Sequence, residues 1–173
     1  MMHDSRAALD IIIQSSTVEL FHSWGIAVAP VARNLFRPEQ FQSYELVASI
    51  DFDGRGLNGT LALAVPQSVF ALVKQDPTRP HTGRDWVREN VNQLLGRIKG
   101  RLLQFQVTLK AGLPAVMTPE AFEQMRARGF LAVYAFRTLR GEVLVALSGQ
   151  VDYSVFVYSG ATTLPSEGDI ILF

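Results

Sequence analysis

The chain has 173 residues, of which 48% are hydrophobic and 18% are charged, a composition that can bury a core and excludes a disordered polypeptide. Its 16 basic residues balance its 16 acidic residues and are scattered along the chain, which argues against a nucleic-acid-binding surface or a polybasic arm for anionic lipid. It contains no cysteine, which excludes a disulfide framework and thiol chemistry.

The first half of the chain predicts a helix, a broken segment and a β-hairpin. Apolar residues between positions 5 and 24 cover a wide arc, which indicates a mostly buried helix. Two prolines interrupt the segment that follows. The runs at 44–52 and 57–65 are rich in β-forming residues and flank a glycine-containing turn, so they predict two paired strands. Pro66 then opens a short helix.

The second half predicts a long helix, a strand, a short helix and a second hairpin. Helical periodicity covers residues 84–104 and 119–129, and β-forming runs cover 106–113, 130–136 and 142–151. Because the strands come in hairpin pairs set between helices, we expect an α+β fold: a mostly antiparallel β-sheet with long helices packed on it.

The length predicts a single domain over residues 1–173, with a C-terminal extension from about residue 152 that holds one further strand and an apolar tail. The first residues lack a basic segment, and the longest apolar runs are far shorter than the ~18 residues of a membrane span. We therefore expect a cytoplasmic protein that binds neither membrane nor nucleic acid.

The helix predicted at 84–104 has an unusual polar face. Its apolar face is formed by Val87, Val91, Leu94, Leu95 and Ile98. At about 100° per residue, four residues fall within roughly 60° of one another on the opposite side, and we call them the polar stripe: Asp85, Glu89, Asn92 and Gly96. A solvated face explains the carboxylates and the amide, but glycine there costs about 1 kcal/mol relative to alanine. Gly96 therefore indicates a close approach, either by a partner or by another segment of this chain.

Most other chemistry is unsupported by the sequence. The histidines lack the spacing of a metal site, so no metal is expected; His22 is interpreted as a partly buried core residue and His81 as a solvated loop residue. Residues 51–59 faintly resemble a calcium loop, but Arg55 and Ala62 occupy ligand positions, which favours a hairpin turn. Nucleophile-elbow, P-loop and dinucleotide-binding motifs are absent.

The two tryptophans have different interpretations. Trp24 ends the first helix and is expected in the core. Trp86 lies beside the polar stripe, where it either packs under the preceding loop or contacts a partner, and it is kept as a candidate partner-binding residue.

The polar stripe, together with the hairpin before it, resembles the CheX/CheC/FliY family of chemotaxis phosphatases. That family has Asp or Ser, three residues, Glu, two residues, Asn and, roughly twenty-two residues later, a proline. Here the sequence is DWVRENVN from Asp85 to Asn92, and Pro114 follows after 21 intervening residues. Gly96 matches a glycine that the family tends to carry after the Asn, and the glycine-rich turn of the hairpin also matches. The resemblance covers about residues 44–150.

The resemblance implies hydrolysis of the aspartyl phosphate on a response-regulator receiver domain, in chemotaxis or two-component signalling. It implies two catalytic residues: Asn92, which holds the attacking water, and Glu89, which pairs with the receiver's lysine. Asp85 and Gly96, with Trp86 as a further candidate, would contact this partner. The chain would need no cofactor of its own, because Mg²⁺ belongs to the receiver, and it would form a homodimer through a sheet edge near residues 130–158.

The sequence departs from the family in two places. The first helix lacks the second Glu-x-x-Asn of CheC-type members, so the chain resembles the one-site, CheX-like branch. The segment after Pro114 and the C-terminal extension differ from the compact members. An alternative therefore stays open: a non-catalytic module that binds a receiver or another signalling protein, or a structural subunit like the switch-associated members.

Overall fold

The structure, a computed structural model, describes residues 5–32 and 44–157. The helices in chain order are α1 (Ser5–Ser23), α2 (Gln67–Phe70), α3 (Gly83–Leu102) and α4 (Pro119–Arg128). The strands are β1 (Ala29–Pro30), β2 (Leu46–Gly54), β3 (Leu57–Val65), β4 (Leu109–Ala111), β5 (Ala115–Met117), β6 (Ala132–Thr138) and β7 (Gly141–Val151). Two 3-10 turns, Leu103–Phe105 and Tyr153–Val155, follow α3 and β7.

The seven strands found in the described residues form one sheet in the order β1, β6, β7, β3, β2, and both β4 and β5 pair with the outer side of β2. Every pairing is antiparallel, which confirms the predicted α+β class and both predicted hairpins. The predicted strand at 106–113 is shorter than expected, and β5 was not predicted. Three residues are too few to show an alternating pattern.

The two faces of the sheet carry different helices, because successive side chains of a strand point to opposite faces. Leu46, Ala48 and Ile50 of β2 belong to the cluster that α1 and α3 complete. Val47, between them, belongs to a second cluster that contains Phe122 of α4. The segment after Pro114 therefore places α4 on the face of the sheet opposite to α3.

Helix α3 packs on β2 from its first residue, where Gly83 lies against Leu46. A Cβ added to Gly83 would lie 2.9 Å from both terminal methyl carbons of Leu46. Farther along, Arg101 of α3 donates hydrogen bonds to the hydroxyl groups of Ser15 and Ser16 at 2.8 Å and pairs with Glu19, which fixes α1 beside α3. Both ends of α3 are thus held against fixed neighbours.

The prediction that His22 is a core residue is wrong. The buried side chains in the last turns of α1 are Leu20 and Phe21, and His22 is exposed. At about 100° per residue, one step beyond Phe21 turns the imidazole away from the sheet. Trp24, by contrast, packs against the core as predicted.

The predicted C-terminal extension is described only as far as residue 157. Phe156 is buried against the rings of Phe105 and Tyr153, so the start of this extension packs on the domain. The strand and apolar tail predicted beyond it, and the single domain predicted over 1–173, involve residues outside the described ranges. Within residues 5–32 and 44–157, no helix combines the length and apolar character that crossing a bilayer requires.

Homodimerisation stays a prediction. The structure limits which part of the sheet edge near residues 130–158 could pair with a second copy of the chain. Strand β7 is interior, and Ala29 and Pro30 of β1 cover the second half of β6. Among the described residues, the start of β6 from Ala132 has no strand on its outer side. Edges of this kind can pair with a second chain. Light scattering should give twice the 19.2 kDa of one chain, and a monomer at high concentration would contradict the prediction.

Candidate functional site

Helix α3, which carries the polar stripe, begins with a reciprocal cap. The hydroxyl oxygen of Thr82 accepts a hydrogen bond from the Asp85 backbone N–H at 3.1 Å, and the hydroxyl donates to the Asp85 carboxylate at 2.9 Å. Asp85 also pairs with Arg88 at 3.0 Å, so its charge is partly compensated. A carboxylate in the first turn is favourable beside the positive end of the helix dipole. Asp85 therefore acts in part as a structural residue of the helix start.

Thr82→Ala should lower the free energy of unfolding by about 1 kcal/mol, because it removes the side chain that caps α3. For a chain of this size that corresponds to a melting temperature lower by roughly 2–4 °C. Thr82→Ser keeps the hydroxyl and should melt within a degree or so of the unmodified protein. Thermal unfolding followed by circular dichroism measures the melting temperature of both variants. A Thr82→Ala variant that melts at the temperature of the unmodified protein would contradict the capping role of Thr82.

All four residues of the polar stripe are exposed, as predicted. The apolar residues Val87, Val91 and Leu94 on the opposite face are fully buried. Asn92 is exposed, and its carboxamide makes no hydrogen bond to the residues that the structure describes. A free amide on a rigid helix can bind a water molecule or an incoming partner without first breaking a bond within the protein.

The Glu89 carboxylate has a neighbour at each oxygen. Gln93, one turn later, donates a hydrogen bond from Nε2 to Oε1 at 3.0 Å. His81, in the loop before α3, places Nδ1 3.8 Å from Oε2, an ion-pair distance for a protonated imidazole. The expectation that His81 is only a solvated loop residue is therefore incomplete. The Glu89 side chain is nevertheless 45% exposed.

Gly96 faces open space. A Cβ added there would meet no atom within 4 Å among the described residues, and the same holds for Gly100 one turn later. Of the two explanations for this glycine, a crossing segment of the chain itself thus finds no support in the described part of the structure. The close approach of a partner at Gly96 stays a prediction.

The prediction that Trp86 is a partner-binding residue is wrong, because its side chain is fully buried. The indole packs edge-on against Phe21 and Trp24 and against the tilted ring of Phe70. About 100° of helical rotation separates Trp86 from Asp85, which turns it from the polar stripe toward the core. Trp86 therefore anchors α3 to α1 and α2.

Asn90 is a buried polar residue that the sequence reasoning missed. Its Oδ1 accepts a hydrogen bond from Trp24 Nε1 at 2.6 Å, and its Nδ2 donates to the Trp86 carbonyl at 2.7 Å. The signal was present, since Asn90 falls within the apolar arc of the helix, between Trp86 and Leu94 on a helical wheel. Because Asn90 and Asn92 lie on different faces, only Asn92 is available to a partner.

Pro114 lies at the corner between β4 and β5. The corner is closed by a hydrogen bond from the Gly112 N–H to the Asp51 carbonyl at 2.7 Å, and β5 then packs against both β2 and α3. Pro114 is half-buried, while Leu113 beside it is 91% exposed. The proline thus turns the chain back along β2 and onto the flank of α3.

Comparisons with known proteins identify this architecture. No protein-family model and no curated protein matches the sequence. Among solved structures, CheX from Desulfovibrio desulfuricans aligns with a TM-score of 0.60 at 16% identity, over 80% of this chain and 97% of that one. A CheC-like superfamily protein from Shewanella sp. PV-4 aligns with a TM-score of 0.61 at 14% identity, over 84% and 97%. This chain has the CheX/CheC-like fold.

A third structure with this fold is a complex. It is the CheX-CheY-BeF3-Mg²⁺ complex from Borrelia burgdorferi, which aligns with a TM-score of 0.52 at 13% identity, over 79% of this chain and 96% of that one. In the CheX/CheC-like fold of the present chain, the exposed carboxylate and amide lie on the outer, convex surface of α3.

Proposed function

We propose that this chain belongs to the CheX/CheC/FliY family and hydrolyses the aspartyl phosphate of a response-regulator receiver domain. The observation that carries the proposal is the exposed polar stripe of α3, with Glu89 and Asn92 accessible and Gly96 open. The fold shared with CheX, including a CheX in complex with CheY, supports the same partner class.

Asn92 would position the attacking water. The water oxygen bonds to phosphorus while the bond from phosphorus to the aspartate oxygen breaks, which releases inorganic phosphate and restores the aspartate carboxylate. Phosphoryl transfer depends mainly on in-line orientation and charge stabilisation, and the receiver would bring its own Mg²⁺ and lysine. An amide suits this task because it donates and accepts hydrogen bonds at once and does not titrate. This chain would need no cofactor of its own.

Glu89 would dock the partner. A carboxylate one helical turn from Asn92 can form a charge-assisted hydrogen bond with the receiver's lysine and so hold Asn92 at the phosphoryl group. Gly96 would let the partner's loops approach the helix one turn beyond Asn92.

The altered segment after Pro114 keeps open the alternative of a module that binds a receiver without hydrolysis. The helix of that segment, α4, packs through Phe122 and Met125 on the other face of the sheet. It therefore does not cover the polar stripe, which stays accessible for the proposed catalytic role.

Glu89→Ala should weaken binding of the phosphorylated receiver by about 1.5–3 kcal/mol, or roughly 10- to 150-fold, because it removes a charged hydrogen bond. Glu123→Ala is the matched control, since Glu123 is also an exposed helical glutamate with a neighbouring cation, Arg126 at 2.7 Å, but lies on α4. The dissociation constant and the rate of phosphate release measured together test the proposal. An equal loss of receiver affinity in both variants, or no loss in either, would contradict the proposal that Glu89 docks the partner.

A further inference from the structure

The loop that carries His81 is ordered by its own side chains. Thr78 donates its hydroxyl and its backbone N–H to the Asp76 carboxylate at 2.7 and 2.8 Å, and these hydrogen bonds lower the pKa of that carboxyl. Gln75 accepts a hydrogen bond from the His81 N–H at 2.9 Å and donates one to the His81 carbonyl at 3.3 Å. His81 is thus held through its backbone on both sides.

The His81 ring is also held in orientation. It packs edge-on against Trp24 with centroids 6.0 Å apart and an interplanar angle of 90°. Trp24 is itself fixed by its hydrogen bond to the buried Asn90. These contacts direct Nδ1 of His81 toward one oxygen of Glu89, while Gln93 occupies the other.

Because these contacts already restrict the Glu89 side chain, less of its conformational entropy is lost when a partner binds. A free glutamate side chain has several rotamers, and fixing it against a partner opposes binding. Each carboxylate oxygen has two lone pairs, so contacts from His81 and Gln93 leave room for a lysine of the partner. Because His81 and Glu89 are about half-exposed, solvent screens their interaction and its effect is modest.

We propose that His81 and Gln93 are positioning residues that hold the Glu89 carboxylate ready for its partner. This inference rests on the proposed function, in which Glu89 docks the lysine of a receiver domain. It concerns the formation of the complex and not the hydrolytic step. The two residues should therefore act on KM and leave kcat unchanged.

A double-mutant cycle tests this role. His81→Ala and Gln93→Ala should each raise KM for a phosphorylated receiver by about two- to tenfold, with kcat unchanged. Neither should raise KM further when Glu89 is already alanine, because both act through Glu89. His22→Ala, an exposed histidine on α1, should change nothing.

The outcomes separate this inference from the proposed function. Single variants with unchanged KM, or KM effects that persist in full in the Glu89→Ala background, would overturn the positioning role while docking by Glu89 stands. A Glu89→Ala variant with unchanged KM would overturn both. Melting curves of all variants exclude loss of folding as the cause of any change.

Discussion

Replacing Asn92 with alanine should reduce the hydrolysis rate of a phosphorylated receiver by about 10²–10³-fold, the loss typical of removing one hydrogen-bonding group that acts on the transition state. Folding should be unaffected or slightly improved. The Asn92 carboxamide is exposed and makes no hydrogen bond to the described residues, so its removal breaks no contact within the described structure. Alanine is also the better helix former, by up to about 0.7 kcal/mol. Single-turnover decay of the phosphorylated receiver measures the first effect and thermal melting the second.

Gln124→Ala is the matched control for this substitution. Gln124 is an exposed amide on α4, on the other side of the sheet from the polar stripe. It should leave both the hydrolysis rate and the melting temperature unchanged. If the Asn92→Ala variant hydrolyses the phosphorylated receiver at the rate of the unmodified protein, Asn92 is excluded as the residue that orients water.

Replacing Gly96 with leucine should abolish receiver binding while keeping or raising stability. Leucine is the better helix former by several tenths to about 1 kcal/mol, and an added Cβ has no described atom within 4 Å. A bulky side chain there would hold the partner's loops away from Asn92, one turn earlier. Receiver affinity and melting temperature, measured on the same sample, check the two effects.

Gly96→Ala provides an intermediate case, because one added methyl group should weaken receiver binding less than a leucine side chain does. Gly100→Leu measures how far the contact extends, because Gly100 is equally open but lies one turn farther from Asn92. A destabilised Gly96 variant would mean that the glycine serves the fold. Unchanged affinity in a stable Gly96→Leu variant would mean that no partner docks there.

The local elements of this fold were predictable because they depend on short-range patterns. Apolar spacing of 3.6 residues located α3 within two residues at each end, and the same periodicity placed Glu89 and Asn92 on its exposed face. The hairpins followed from paired β-forming runs around glycine-containing turns.

The errors concern side chains near the boundary between two faces, and contacts between distant segments. Trp86 is a candidate partner contact in the sequence because it follows Asp85, although a helical wheel places it beside the buried Asn90. His22 is interpreted as a core residue from the usual burial of isolated histidines, whereas its position one residue beyond Phe21 turns it outward. The contact of His81 with Glu89 depends on how a loop folds back over α3. The face of the sheet that α4 covers likewise depends on tertiary packing, so it could not be predicted from the local sequence of residues 119–129.

We propose that the polar stripe of α3 makes this chain a phosphatase of receiver domains. The most direct measurement is the decay of the aspartyl phosphate on a panel of phosphorylated receiver domains from the same organism, with and without the protein. We expect the protein to accelerate decay of at least one receiver, in proportion to its concentration, and the Asn92→Ala variant to lose that acceleration. Binding of a receiver without any acceleration would contradict the catalytic claim and indicate an interaction module, and neither binding nor acceleration across the panel would contradict the whole account.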